Sequence, residues 1–123
     1  MINLTHCCII TDDVNELTNF YERILKIEAE RYGENYSEIE AGDTQLAIFD
    51  VFEQEGLAPG TARIRSNESL ILEFNVEDLE AEYKRIKDMG IEMAKDITTQ
   101  PWGNTSFYFR DPDGNLINFY TQS

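Results

Sequence analysis

The segment "SFYFRDPDGNLINFY" (106–120) decides the fold, because two aromatic-rich runs of alternating character flank a four-residue turn. Pro112 presets the backbone dihedral for the second position of a type I turn, and Asp111 can accept hydrogen bonds from the residues that follow it. Gly114 suits the position that closes the turn. The segment therefore predicts a β-hairpin with strands over 105–110 and 115–120.

The chain upstream of the hairpin repeats one order of elements twice. In the second half we predict a strand over 69–76, a helix over 77–90 that Gly90 ends, a strand over 91–99 and the two hairpin strands. In the first half we predict a strand over 4–10, a helix within 11–28, and strands over 27–32, 36–41 and 44–51. Ile27-Glu28 and Ile91-Glu92 occupy matching places in the two halves.

A repeat of this size indicates a duplicated supersecondary unit. Each unit has one small sheet and one helix, too little core for independence, so the two units can fold back and share a sheet. We predict a single α+β domain of two βαβββ modules, about 1–52 and 69–123. The connection 53–68 contains Gly56, Pro59 and Gly60 and is expected to be irregular, either a linker or a mobile flap.

The charge balance limits the possible partners. The chain has 24 acidic and 10 basic residues and a formal net charge of −14, so it should repel nucleic acid and anionic lipid. Neither a long apolar run nor a secretory signal is present, which predicts a cytoplasmic protein. Cys7 and Cys8 are neighbours that point to opposite faces of a strand, and we expect them to be buried thiols.

Two segments together resemble the vicinal oxygen chelate superfamily, which includes glyoxalase I, bleomycin-resistance proteins and extradiol dioxygenases. They are "LTHCCIITDDVNELTNFYERILKIE" (4–28) and the hairpin segment. The resemblance implies that the two modules form a curved half-open barrel with a ligand pocket on its concave face. It also implies a homodimer, since members of this length commonly pair.

The resemblance further implies four positions at which metal-using relatives carry ligands. His6 falls at the first of them, but Ala47 and Ile71 occupy the next two, and Asn118 stands where the last glutamate belongs, four residues after the turn glycine. Alanine and isoleucine offer no ligand atom, and an amide oxygen is a weak neutral ligand. We therefore expect no metal cofactor at these positions.

An alternative metal site stays open at this point. Period-two alternation places His6 and Cys8 on one face of the first strand, and Glu73 on the same face as Ile71. If those strands adjoin, then His6, Cys8 and Glu73 would converge as ligands.

The same alternation predicts which side chains face the pocket. On the last strands Leu116, Asn118 and Tyr120 should face it, whereas Ile117 and Phe119 should face the helices. An imidazole, a carboxylate, hydroxyls and an amide among aromatic rings are typical of a small-molecule site. The predicted ligand-binding residues are His6, Ala47, Phe49, Glu73, Trp102, Ser106, Tyr108, Asn118 and Tyr120.

Three functions are consistent with these residues. The first is a metal-independent binding protein that resembles the bleomycin-resistance branch and sequesters an organic compound, cationic or aromatic. The alternative is a metal-dependent lyase, dioxygenase or thiol transferase of the same superfamily. A third is metal-free catalysis with His6 as base and Tyr108 as acid, for which the sequence reveals no second group to fix the imidazole.

Overall fold

The computed structural model describes residues 1–122, and the chain divides into two compact units, the first ending at Ser66 and the second beginning at Asn67. Each unit contains one four-stranded mixed sheet, and each follows the order strand, helix, three strands. The α+β class and the two βαβββ modules predicted from the sequence are thus confirmed. No helix within the described residues is long and apolar enough to cross a membrane.

The sheet of the first unit has the strand order β1-β4-β3-β2, in which β1 and β4 are parallel and the other pairs are antiparallel. Its elements are β1 (His6–Thr11), α1 (Val14–Leu25), β2 (Glu30–Arg31), β3 (Tyr36–Ala41), β4 (Thr44–Asp50) and α2 (Val51–Leu57). The strand predicted over 27–32 is therefore only two residues long. The backbone N–H of Ala29 instead donates to the Glu22 carboxylate of α1 at 2.8 Å, which holds the chain to the helix.

Helix α1 packs against β3 and β4 on one face of this sheet. The Asp13 side chain caps it by accepting from the backbone N–H of Glu16 at 3.0 Å. Leu17, Tyr21 and Ile24 are buried on its inner side. Thr18 joins the helix to Ser37 of β3 through a 2.8 Å hydrogen bond, and both are fully buried.

The connection between the units begins with a helix, so the expectation that it is irregular throughout was wrong. The Asp50 carboxylate caps α2 by accepting from the N–H groups of Phe52 and Glu53 at 3.0 and 3.1 Å. The sequence carried this signal, because Asp50 and Glu53 have the spacing of a capping box. Gly56, which suggested a loop, lies inside the helix.

The sheet of the second unit has the order β5-β8-β7-β6, again with one parallel pair, β5 with β8. Its elements are β5 (Ile71–Asn75), α3 (Leu79–Asp88), β6 (Met93–Thr99), β7 (Asn104–Arg110) and β8 (Leu116–Gln122). Asp78 caps α3 through a 3.1 Å bond from Ala81 N–H. β6 has two register shifts against β7.

The predicted hairpin joins β7 and β8. Gly114 N–H donates to the Asp111 carbonyl at 2.9 Å, which closes the turn. The Asp111 carboxylate is buried and accepts from the N–H groups of Asp113 and Asn115 at 2.9 and 2.8 Å. Gly114 has a φ of +89°, a conformation that favours glycine.

The core of the second unit is aromatic. Phe107 and Phe109 of β7 and Phe119 of β8 have almost no exposed surface, and Phe107 contacts Tyr83 of α3 edge to face at 5.3 Å. These rings occupy one face of the sheet, as the alternation predicted for Phe119. The opposite face carries Ser106, Tyr108 and Asn118, and Tyr108 of β7 pairs with Asn118 of β8.

Candidate functional site

His6 of β1 has hydrogen bonds at both ring nitrogens. Nε2 lies 3.0 Å from Oε2 of Glu38, and Nδ1 lies 2.8 Å from the Thr5 hydroxyl. A carboxylate only accepts, so Nε2 carries the proton and donates it to Glu38. The sequence offered no group to hold the imidazole; the structure supplies two. Neither nitrogen then has a lone pair directed to a ligand.

Glu38 of β3 is the carboxylate at the centre of this arrangement. Its Oε2 accepts from the Tyr36 hydroxyl at 2.6 Å as well as from His6. The hydrogen bond from Tyr36, and then that from His6, lower the pKa of Glu38 below its ordinary value, although partial burial opposes them. Glu38 is therefore an anion at neutral pH, and its Oε1 accepts no hydrogen bond from residues 1–122.

Ala47 explains how His6 and Glu38 meet across the intervening strand β4. In the sheet register Ala47 lies beside Glu38 on one side and beside Cys8 on the other. It is buried, and its methyl group leaves the space through which the two longer side chains approach each other. Ala47, which stands where metal-using relatives carry a ligand, thus makes room for the hydrogen-bonded pair of His6 and Glu38.

Three aromatic rings are grouped around Tyr36, whose hydroxyl donates to Glu38. Tyr36 stands edge to face with Phe49 of β4 at 5.7 Å between centroids and lies 5.7 Å from Tyr32. Tyr32 is 52% exposed, whereas Tyr36 and Phe49 are half-buried. Burial, followed by the bond to Glu38, raises the pKa of Tyr36, so its hydroxyl stays protonated and donates to the carboxylate.

An acidic groove continues along the same strands. Its volume is about 540 Å³, and no basic side chain lines it. Its walls are Glu28, Ala29, Glu30, Glu38, Glu40 and Gln45. Together with the three rings, which we call the aromatic triad (Tyr32, Tyr36 and Phe49), the groove makes this part of the first unit both aromatic and anionic.

The second unit brings five of the predicted site residues onto one sheet face. Asn118 of β8 lies beside Glu73 of β5 and Tyr108 of β7, and Ser106 pairs with Tyr120. The Asn118 amide donates to the Glu73 carboxylate at 2.9 Å. Ser106 and Asn118 are buried, whereas Glu73 is exposed. The role of these side chains in binding stays a prediction.

Trp102 lies apart from this group in the turn between β6 and β7. Its side chain is 74% exposed, and Gly103 N–H closes the turn on the Gln100 carbonyl at 2.9 Å. Its predicted role in ligand binding stays a prediction as well. His6, Ala47 and Phe49 belong to the first unit, and the other six predicted residues belong to the second.

The side chains at the family's ligand positions do not fit a divalent metal. Ala47 and Ile71 have no donor atom, and the Asn118 nitrogen is engaged with Glu73. Within residues 1–122 no three His, Cys, Asp or Glu side chains are grouped as metal ligands. The set of His6, Cys8 and Glu73 considered from the sequence joins residues of both units, and it stays a prediction.

Both cysteines are free thiols. Cys7 is half-buried and Cys8 is exposed, so the expectation of two buried thiols was wrong for Cys8. Partial burial raises the pKa of both thiols, which keeps them largely protonated and poorly nucleophilic at neutral pH.

Two units, each with a four-stranded mixed sheet and the order strand, helix, three strands, define a βαβββ repeat architecture. A family model described as the Glyoxalase/Bleomycin resistance protein/Dioxygenase superfamily matches residues 3–119. The chain belongs to this superfamily. No curated protein matches the chain.

Solved structures agree with this assignment. An integron cassette protein from the mobile metagenome of V. cholerae is 29% identical, with a TM-score of 0.72 over 100% of this chain and 97% of that one. A glyoxalase-related enzyme from Fulvimarina pelagi is 17% identical, with a TM-score of 0.83 over 99% and 89%. A lactoylglutathione lyase from Agrobacterium tumefaciens is 18% identical, with a TM-score of 0.72 over 97% and 92%. At these two lower identities the likeness shows the fold alone.

Proposed function

We propose that the chain is a metal-independent binding protein for an organic cation, held on the open sheet face of the first unit. The observation that carries this proposal is the aromatic triad beside the Glu38 carboxylate. Aromatic faces attract cations through their negative quadrupole, and groups of two or three rings are the usual recognition element for quaternary ammonium.

The electrostatics of the site support the same class of ligand. Glu38 is anionic and has one free oxygen, and the neighbouring groove adds Glu28, Glu30 and Glu40 without a basic side chain. A net charge of −14 gives the whole chain a field that draws cations and repels anions. A thiolate or phosphate substrate would be opposed by the same charges.

Binding without turnover is favoured by the hydrogen bonds of His6. A general base needs a lone pair within reach of the proton that it removes. The two ring nitrogens of His6 are bonded to Glu38 and Thr5, so the imidazole holds the Glu38 carboxylate in place. The metal-dependent alternative has superfamily membership as its support, and the residues at the metal positions do not fit it.

The test is calorimetric titration of protein dialysed against a chelator, with choline and its uncharged isostere neohexyl alcohol as probes. A ligand of this size is expected to bind with a Kd of about 1 mM or tighter. Choline should bind and neohexyl alcohol should not. Equal binding of the two, or no choline binding, would refute the proposal.

Variants locate the binding. Tyr36→Leu and Phe49→Leu should each weaken choline binding roughly threefold, because one cation–π contact at a partly exposed site is worth about 0.5–1 kcal/mol. Glu38→Gln should weaken it by a similar factor. Glu92→Gln, an exposed carboxylate of the second unit, makes the same change in net charge and should leave the Kd unchanged.

A further inference from the structure

Asn118 of the second unit has a buried acceptor without a partner. Its side chain is 4% exposed, its Nδ2 donates to Oε2 of Glu73 at 2.9 Å, and its Oδ1 is inaccessible to water with no hydrogen bond within residues 1–122. Exchanging the amide oxygen and nitrogen does not remove the problem, because Oδ1 would then face the carboxylate and that bond would be lost.

An orphaned buried acceptor is uncommon in folded proteins and calls for a physical reason. Asn115, only three residues away, shows the ordinary case. It is equally buried, yet its amide donates to Asp111 at 2.7 Å and its Oδ1 accepts from Asn67 at 2.7 Å. Burial alone therefore does not account for the unpaired oxygen of Asn118.

The groups around Asn118 add a second acceptor and a negative charge. Glu73 is exposed, and its Oε1 accepts no hydrogen bond within residues 1–122. On the other side Asn118 lies beside Tyr108, a half-buried ring on β7. The buried amide oxygen requires a donor, whereas the exposed carboxylate oxygen is open to one, and its charge favours a cation.

We propose that Asn118 and Glu73 form a second binding site, for a planar group with several N–H donors and a positive charge, that is, an amidinium or guanidinium. Such a group donates to two acceptors at once in a fixed fork. Glu73 is the solvent-exposed entry to the site. Because Oδ1 is covered in the free protein, a ligand can reach it only after a neighbouring side chain rotates. The half-buried Tyr108, which lies beside Asn118, is the side chain that would rotate.

This site is chemically distinct from the aromatic triad. A quaternary ammonium has no N–H and cannot satisfy Oδ1, whereas benzamidinium has four N–H bonds. The inference therefore stands independently of the proposed function of the first unit. Its test uses benzamidinium in the presence of excess choline, so that the triad is occupied if the proposed function is correct.

The direct readout is the side-chain amide signal of Asn118 in nitrogen-15 spectra of the wild-type protein. We expect this signal to shift saturably with benzamidinium and to stay unchanged with choline alone. In titrations, Asn118→Leu and Glu73→Gln should each weaken benzamidinium binding about tenfold. Asn75→Leu, which removes an exposed amide two residues beyond Glu73 on the same strand, is the matched control and should have no effect.

An unchanged Asn118 signal at saturating benzamidinium would overturn the inference, as would equal binding by Asn118→Leu and Glu73→Gln. Glu73→Gln keeps the test decisive if Asn118→Leu fails to fold, because Glu73 is exposed. Failure of choline to bind would count against the proposed function of the first unit alone, since the benzamidinium titration does not depend on it.

Discussion

At the scale of single residues, two polar side chains carry most of the functional argument. Glu38 holds hydrogen bonds from Tyr36 and His6 on one oxygen and leaves the other open. Asn118 leaves a buried oxygen unpaired. The unpaired Asn118 oxygen is a local departure from what stability alone would favour, and such departures are expected where a ligand completes the set of partners.

The cost of the unpaired oxygen can be measured by comparing two equally buried asparagines. Asn118→Leu removes an unsatisfied acceptor, so we expect the free energy of unfolding to stay within about 1 kcal/mol of wild type or to rise. Asn115→Leu removes satisfied hydrogen bonds and leaves the Asp111 carboxylate short of a donor, so a loss of about 2–3 kcal/mol is expected. Urea denaturation measures both; an equal loss for the two variants would contradict the account.

The lowered pKa of Glu38 determines the pH range over which this carboxylate stabilises the fold. Its pKa in the folded protein lies below the ordinary value of 4.5, so the carboxylate stabilises the fold fully above pH 4.5. That contribution is lost as the pH falls below 4.5 through the lowered pKa. The stability difference between wild type and Glu38→Gln should therefore shrink on acidification below pH 4.5, as urea denaturation over a pH series would show.

Tyr36→Phe provides the control for this effect. It removes the largest cause of the lowered pKa and keeps the ring, so the loss of stability should move to higher pH while choline binding changes little. A difference between wild type and Glu38→Gln that does not vary with pH would show that Glu38 titrates as an ordinary exposed glutamate.

At the scale of elements, capping and turn chemistry explain most of what the sequence predicted. The pattern within 11–28 predicted α1, which the Asp13 cap begins, and the Asp-Pro-Asp-Gly turn predicted the β7–β8 hairpin. The helix α2 was missed because Gly56 outweighed the capping signal at Asp50. β2 was predicted too long because alternation alone cannot show that Glu22 of α1 binds the backbone at Ala29.

Alanine substitutions at two glycines test whether the backbone conformation of each position determines its contribution to stability. Gly56→Ala in α2 should raise the free energy of unfolding by about 0.5–1 kcal/mol, because the position is helical and no atom lies close to the added methyl group. Gly114→Ala also meets no neighbouring atom, yet it should lower stability by about 1 kcal/mol, because its φ is +89°. Thermal denaturation of the two variants would separate the effect of backbone conformation on stability from that of steric crowding. Changes in stability of the same sign for both variants would refute the argument.

The candidate site could be predicted only in part, because the sequence pattern does not specify how the strands of the first sheet pair. Alternation correctly placed Tyr108 and Asn118 on one face, because both belong to adjacent strands of a hairpin. The His6–Glu38 pair joins residues 32 positions apart across the intervening strand β4. Its formation depends on the pairing of β1 with β4 and of β4 with β3, which period-two patterns do not specify.

At the scale of the whole molecule, the net charge of −14 should make cation binding depend on salt. The Debye length falls from about 10 Å at 0.1 M salt to about 3 Å at 1 M, which screens the field of the distant carboxylates. We expect the Kd of choline to rise roughly threefold or more over that range. Calorimetry at several salt concentrations measures this effect, and a salt-independent Kd would show that only the cation–π contacts matter.

The central claim, that the open sheet face of the first unit binds an organic cation without a metal, is tested most directly by mapping choline on chelator-treated protein. Amide chemical shifts in nitrogen-15 spectra report the position of the ligand residue by residue. The account predicts saturable shifts concentrated at 30–38 and 47–49, around the aromatic triad and Glu38. Saturable shifts confined to other residues, or none until a divalent metal is added, would contradict it.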